Sequence, residues 1–481
     1  SHCGLLLVFC IVNNNLVFVL TSFCILVAHF EIVKYNEVMI KIIMSFLYLS
    51  ANAYALDLPQ VNLSETLQEQ KQGNEFLQII WNTDAVVADV ETQVYLKALG
   101  HELSTYSEDP SKHVDFLMLN DSSINAFAGP YGYIGVHTGM LLSSEAEAEL
   151  AGVLSHELSH ITQNHLSRFS EKTDKQTYIM VAGMLAAALV DNSNASQAIA
   201  ASTVAGTAQQ NINFTREHEW EADRIGTNML SKSGFDPSGM AHFFEKLQDD
   251  VNAQEFLRSH PLSINRISDA MQRSSRLTGD YREDSFEYQS IKAKLYYHLH
   301  KRIKLEKNQD LTLYMQAYDA FEGQKYTLAK GYVTQLLALN QSAPSHILAG
   351  RIYSKLGQLE TAQQHFLPVL QNEAGVYYAA KAYMDNHQTQ QGILLLRRYL
   401  KQNSGTYQSH KLLSSLYVDV GSLDRAHIHN AKALATQGKL EQAIDRYERA
   451  KTTTRSQDLF DVISVEIERL EKRINLYKEL P

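Results

Sequence analysis

The chain has 481 residues, 45% hydrophobic and 20% charged, enough apolar material for about two to four domains of roughly 100–200 residues and too much for a disordered chain. Its 43 Lys and Arg against 53 Asp and Glu give a net charge of −10; with no basic block anywhere, this points away from nucleic acid as a partner. The three cysteines, Cys3, Cys10 and Cys24, all precede residue 25, so the remainder has neither a disulfide framework nor a thiolate metal site, a composition that suits an oxidising compartment.

The first methionine is Met39. Lys41, the apolar run Ile42 to Leu49 and the small residues Ala51-Asn52-Ala53-Tyr54-Ala55 follow it, the three parts of a signal peptide, with cleavage expected after Ala55. The segment 39–55 is therefore read as a signal directing export. Residues 1–38 contain a further apolar run, Leu16 to Val33. It is either a membrane anchor or upstream sequence read through into a start at Met39; the complete signal behind it favours the second.

From Leu58 to Glu108 the pattern is helical, most clearly over Val86 to Leu99. Strands are expected at Val114 to Leu119 and Tyr133 to Thr138, punctuated by Gly129, Pro130, Gly132 and Gly139. Ser144 and Glu147 have capping-box spacing and open a helix expected to run from Leu150 to Leu166. Residues 177–208, rich in Ala, Met, Val and Ser, read as a packed helix pair or a flap; their apolar part is too short to span a bilayer. Further helices are expected over Thr215 to Ser231 and Gly239 to Leu257.

Beyond Asp310 the chain repeats. Gly323 and Gly357 are 34 residues apart, the tetratricopeptide period, and Gly357, Gly421 and Gly438 each have an alanine five residues on, at Ala362, Ala426 and Ala443. An irregular turn is read at Asn386-His387-Gln388. Only 17 residues separate Gly421 from Gly438, so the helix between them is expected to serve two units. Such units cannot bury their apolar faces alone and stack into a curved, protein-binding array. After Pro261 only Pro344, Pro368 and Pro481 remain, which leaves this half free to be helical.

His156-Glu157-Leu158-Ser159-His160 is an H-E-x-x-H sequence. On a helix its two histidines share a face and can reach one zinc ion, with Glu157 beside them to take a proton from water. A catalytic zinc needs a third protein ligand. The metzincin extension would require Gly at 163 and His at 166, where the chain has Gln163 and Leu166. His165 would lie about 140° around the helix from His160 and is expected to be exposed. Downstream, Glu219 shares a helix face with Asp223, and Glu217 with Glu221; one pair can face the metal while the other is solvated.

His156 to His160 followed by Glu219-x-x-Ala222-Asp223 resembles the gluzincins of the HtpX and Oma type. That resemblance implies zinc, one ion per chain, held by His156, His160 and Glu219, with Glu157 catalytic and Asp223 orienting a ligand histidine. It also covers Asn125 to Ala128 and Gly132 to Gly139, where an edge strand can pair with an extended substrate. In Leu257-Arg258-Ser259-His260-Pro261 it implies that His260 lies over the zinc as a fourth ligand in a resting state, as a regulatory switch or a transition-state group, and that Arg266 anchors the segment or pairs with an acid. The combination with a signal and repeats implies the periplasmic branch.

The expected fold is mainly α: a zincin-type α+β metallopeptidase domain with a small sheet at 56–290, followed by a tetratricopeptide domain at 291–481. By resemblance the implied activity is a periplasmic zinc endopeptidase that degrades misassembled outer-membrane β-barrel precursors, assists the assembly of others and docks on the barrel-assembly machinery through its repeats, with peripheral membrane association. A chaperone or scaffold with a latent metal site is the rival reading; a protease anchored by residues 16–33 is a third.

Overall fold

The computed structural model describes residues 8–12, 15–19, 63–170, 216–248, 250–299 and 308–480. The chain divides into two compact units, Ser1–Asn62 and Leu63–Pro481. In the first, β1 (Val8–Val12) and β2 (Asn15–Val19) pair antiparallel with Val8 opposite Val19. The signal segment 39–55, most of the apolar run 16–33 and the candidate flap 177–208 lie outside the described residues. Among those residues no helix is long and apolar enough to cross a membrane.

The second unit opens with α1 (Leu63–Asn82) and α2 (Val90–Ser104). Asp89 starts α2 by accepting from the Thr92 amide, which places the start four residues beyond the first apolar position expected from periodicity. A three-stranded sheet follows, made of β3 (Asp115–Leu119), β4 (Ala126–Ala128) and β5 (Tyr133–His137) in the order β3-β5-β4. β5 is central, parallel to β3 and antiparallel to β4, so β4 is an edge. A short helix, α3 (Thr138–Ser143), leads to α4 (Glu147–Thr162), which is buried along nearly its whole length and carries His156 to His160.

The expected capping box is absent. Ser144 ends α3, and its hydroxyl donates to the Leu141 carbonyl beside the Tyr288 hydroxyl. The start of α4 is held instead by Glu147, whose carboxylate accepts from Tyr95 Oη at 2.9 Å and from the Ser285 amide at 2.7 Å. α4 also stops earlier than periodicity suggested. Asn164 has φ +53°, a left-handed conformation that asparagine tolerates better than most residues, and α5 (His165–Ser170) starts in a new direction.

Two helices close on α4: α6 (Arg216–Lys232) and α7 (Ser238–Leu247). They approach through glycines. A Cβ on Gly152 would lie 2.8 Å from Met240 Cα, and one on Gly226 would lie 3.1 Å from the His156 amide nitrogen, so only bare backbone lets these helices pack this closely. The single helix expected from Gly239 to Leu257 is split. Asp250 caps a fresh 3₁₀ turn by accepting from the Asn252 amide, and α8 (Gln254–Ser259) follows. Next comes α9 (Ile264–Ser274), capped by Ser263. α10 (Phe286–His298) sends Tyr288, Ile291 and Leu295 into the core around α4.

The rest is a stack of antiparallel helix pairs: α11 (Gln309–Glu322) with α12 (Tyr326–Leu339), α13 (Ala343–Lys355) with α14 (Leu359–Phe366), α15 (Glu373–Asp385) with α16 (Thr389–Leu400), and α17 (Tyr407–Asp419) with α18 (Leu423–Ala435). α18 packs against both α17 and α19 (Leu440–Thr453), so it serves two neighbours, as the short glycine interval implied. α20 (Gln457–Glu479) ends the chain. Among its described residues the unit Leu63–Pro481 is mainly helical, with one small sheet followed by a tetratricopeptide-type array.

The array meets the first half at both ends. At its start Lys294 of α10, buried, lies 2.8 Å from both Asp89 Oδ2 and Glu91 Oε2. Arg351 of α13 lies 3.5 Å from Glu91, its guanidinium over the rings of Phe321 and Tyr378 at 4.6 and 4.5 Å. At the far end, Asn74 Nδ2 of α1 donates to Tyr477 Oη at 2.9 Å and Gln78 Nε2 to the Gly438 carbonyl at 2.7 Å. The opposite face of α1 buries Phe76, Leu77 and Ile80 against the sheet.

Candidate metal centre

α4 presents His156 and His160 one turn apart, α6 presents Glu219, and the turn after α8 presents His260; all four are buried, with one ligand atom from each within 4.8 Å of the others. The edges of this cluster are short and even. His156 Nε2 is 3.0 Å from His160 Nε2, 3.3 Å from His260 Nδ1 and 3.5 Å from Glu219 Oε2. Glu219 Oε1 is 3.4 Å from His160 Nε2 and 3.2 Å from His260 Nδ1. Bonds of about 2.0–2.1 Å around a tetrahedral zinc put its ligand atoms about 3.3–3.4 Å apart. The four residues therefore fit such an ion by size.

They fit it by charge as well. Glu219 and Asp223 are buried on either side of the Arg266 guanidinium and Glu157 is buried nearby, so acidic side chains outnumber the guanidinium where a divalent cation would sit. Burial alone would discharge His156, but the carboxylates of Asp223 and Glu219 outweigh it and hold the ring up at about 10. Burial likewise acts to raise Glu219, and His260 and His156 reverse it, so its carboxyl stays well below the usual range. For His160 burial and the neighbouring His156 act together and keep the ring neutral.

Each sequence-singled residue has a definite place. Glu157 projects from α4 fully buried; burial pushes its carboxyl up, with His260, whose Nε2 is 3.4 Å away, pulling against it. Asp223 Oδ1 lies 3.0 Å from His156 Nδ1, off the ideal hydrogen-bond line. Arg266 does both things expected of it. Its Nε and one terminal nitrogen donate to the two oxygens of Asp223 at 2.7 and 2.8 Å, and the other terminal nitrogen donates to the Pro261 carbonyl at 2.8 Å and lies 2.8 Å from Glu219 Oε2. His260 is further fixed by stacking on Phe256, ring centres 4.8 Å apart. The β3–β4 loop ties down the same segment: the Ile124 amide donates to the Asn252 carbonyl at 3.1 Å, and Ser123 Oγ to Glu255 Oε2 at 3.1 Å.

His165 does not behave as a continued helix would require. It is fully buried, with Nδ1 2.8 Å from His160 Nδ1 and Nε2 3.0 Å from Glu221 Oε2. The break at Asn164 swings the residue back under His160. Nor are the two acids of the other pair alike: Glu217 is exposed, whereas Glu221 is half-buried and held down by its bond to His165. The signal that could have exposed this is Asn164 itself, a residue suited to ending a helix.

Residues 91–274 match peptidase family M48. The chain is 27% identical over 445 residues to the beta-barrel assembly-enhancing protease of Escherichia coli K12 and 29% identical over 447 residues to that of Yersinia pestis, in each case covering 86% of this chain and 90% of the relative. It is also 36% identical over 213 residues, 43% of this chain and 44% of the relative, to a putative beta-barrel assembly-enhancing protease of Vibrio cholerae. The first two alignments run far beyond the matched domain, so the likeness extends into the helical array. The residues that match family M48 include all four members of the cluster on α4, α6 and the turn after α8.

Proposed function

We propose that the protein is a periplasmic zinc-dependent endopeptidase that degrades misassembled outer-membrane β-barrel proteins and assists the assembly of others, with His260 gating its activity. The observation that carries the catalytic part is the four-residue cluster, matched in size and charge to zinc, with Glu157 beside it. The two full-length relatives named as barrel-assembly-enhancing proteases support the client class. The array supports docking on client proteins and the assembly machinery, and the signal-like segment 39–55 and the cysteine-free body support export.

His156, His160 and Glu219 would hold the ion, which when bound would supply Lewis acidity toward water and the scissile carbonyl. Glu157 accepts the water proton and returns it to the leaving amine; its raised carboxyl pKa suits both halves of that exchange. Edge strand β4, unpaired on its outer side among the described residues, would offer that side to an extended substrate backbone. Glu157→Gln should lower casein cleavage by about 10²–10⁴-fold while zinc content stays at one per chain; undiminished cleavage would sink this reading.

His260 completes a set of four, and with all four side chains on a zinc ion no position would be left for water. This arrangement favours a resting state and gives the chaperone reading its specific support. Replacing His260 by Ala is expected to raise peptidase activity or self-cleavage at unchanged zinc content. Loss of activity would assign the residue to the transition state instead. If Glu157→Gln leaves client assembly untouched, chaperoning is the main task.

A further inference from the structure

We propose that His165 is a positioning residue for the metal centre, linking the carboxylate of Glu221 at the surface to the buried ligand His160. The inference rests on the metallopeptidase reading and adds to it a residue that H-E-x-x-H spacing does not include.

Hydrogen-bond bookkeeping gives the link a direction. Glu221 Oε2 can only accept, so His165 Nε2, 3.0 Å away, carries the hydrogen. A neutral His165 then has its lone pair on Nδ1, which faces His160 Nδ1 at 2.8 Å. His160 must therefore donate from Nδ1, and its Nε2 is left with a lone pair directed at His156 Nε2 and Glu219. The reverse assignment would put a hydrogen on His160 Nε2, where it would block ligation. One acidic residue at the edge of the domain thus selects, through one imidazole, the only tautomer of His160 that can bind a metal.

The surroundings hold this geometry. The His165 ring stacks on His218, centres 4.4 Å apart and planes 17° from parallel. Arg168 lies 3.3 Å from the same Glu221 oxygen, which keeps it ionised and aimed. The two ligand histidines are thereby treated alike. Behind His156 stand Asp223 and Arg266, and behind His160 stand Glu221 and Arg168 with an imidazole inserted between ligand and acid.

The test is zinc affinity of the full chain, measured by competition with a chromogenic chelator, alongside the unfolding midpoint of the metal-free protein. His165→Leu, which keeps bulk but no acceptor, should weaken zinc binding by about 10–100-fold. His165→Asn places an amide oxygen close to where Nδ1 stood and should recover most of that loss, and the cobalt-substituted protein should show a shifted visible band in the Leu variant that returns in the Asn variant. Zinc affinity in His165→Leu within about twofold of wild type, or no recovery in His165→Asn, would overturn the proposal. Should His165→Leu fail to fold, Glu221→Leu at the half-exposed end must weaken zinc binding with an unchanged metal-free midpoint; unchanged affinity there also overturns it. A wild-type chain that binds no zinc would defeat the metallopeptidase reading itself, whereas wild-type zinc binding with indifferent variants defeats only the role of His165.

Discussion

Two buried charge clusters stand in this molecule, and they are built on opposite principles. At the junction of α2, α10 and α13, two carboxylates, Asp89 and Glu91, meet two cations, Lys294 and Arg351, and the Tyr378 hydroxyl donates to Asp89 at 3.3 Å. Charge balances within the chain. At the metal centre Glu219 and Asp223 meet one guanidinium, nitrogens of three imidazoles crowd around the Glu219 carboxylate, and Glu157 is buried beside them against His260. The first cluster is complete as it folds and fixes the array on the domain. The second gathers more acidic groups than guanidinium can answer, around a space the size of a metal ion; incompleteness of this kind marks a functional site.

The contrast is broken most forcefully by removing a cation from the balanced cluster. Lys294→Met strands Asp89 and Glu91 in a buried place and should cost about 3–5 kcal/mol in denaturant unfolding, with zinc affinity of the folded protein unchanged. Adding Glu91→Gln to that variant should recover part of the loss. A chelator reads the other cluster: stripping zinc held at about 100 times its Kd should lower stability by about 2.7 kcal/mol, and by the same amount in wild type and in Lys294→Met if the two clusters are independent. A third effect is in pH. His429 of α18 is stacked between His410 and Tyr417, and burial together with His410, Lys432 and Arg397 drives its ring from 6.5 down to about 3. The unfolded chain therefore binds a proton that the folded chain refuses. Stability attributable to this ring is constant above pH 6.5 and falls as the pH drops toward 3, by at most about 1.4 kcal/mol per pH unit. His429→Phe should flatten that slope in acid titrations followed by circular dichroism.

What the sequence disclosed follows from the range over which each signal acts. His156, Glu157 and His160 were legible because a five-residue spacing on one helix is local chemistry. Glu219 was only half legible: periodicity left two acidic pairs open on one helix, and the choice depended on how α6 crosses α4, where Gly226 sets the close approach through space. His165 was misread because its angle was computed on a helix that stops at Asn164. The repeats were legible through glycines at turns, where Gly357, Gly421 and Gly438 have positive φ. At the turn without a glycine, His387 takes that conformation, and between α11 and α12 Gln324 does so beside Gly323, which is why the period looked irregular there. The junction charges were invisible in advance: Asp89, Lys294 and Arg351 are ordinary surface residues until packing brings them together.

The contact between α1 and the end of the array bears on the order in which the molecule is made. Asn74 and Tyr477 are 403 positions apart, and Gly438, where a Cβ would come within 2.5 Å of the Asn74 carbonyl oxygen, abuts a helix made hundreds of residues before it. Closing so long a loop is entropically costly and kinetically late. While the chain is delivered from its N-terminus, α1 has only its sheet-facing side to pack and must wait for the last helices to cover the other. Completion of the fold is thus reported at one short seam, and hydrogen exchange at α1 would show when it closes.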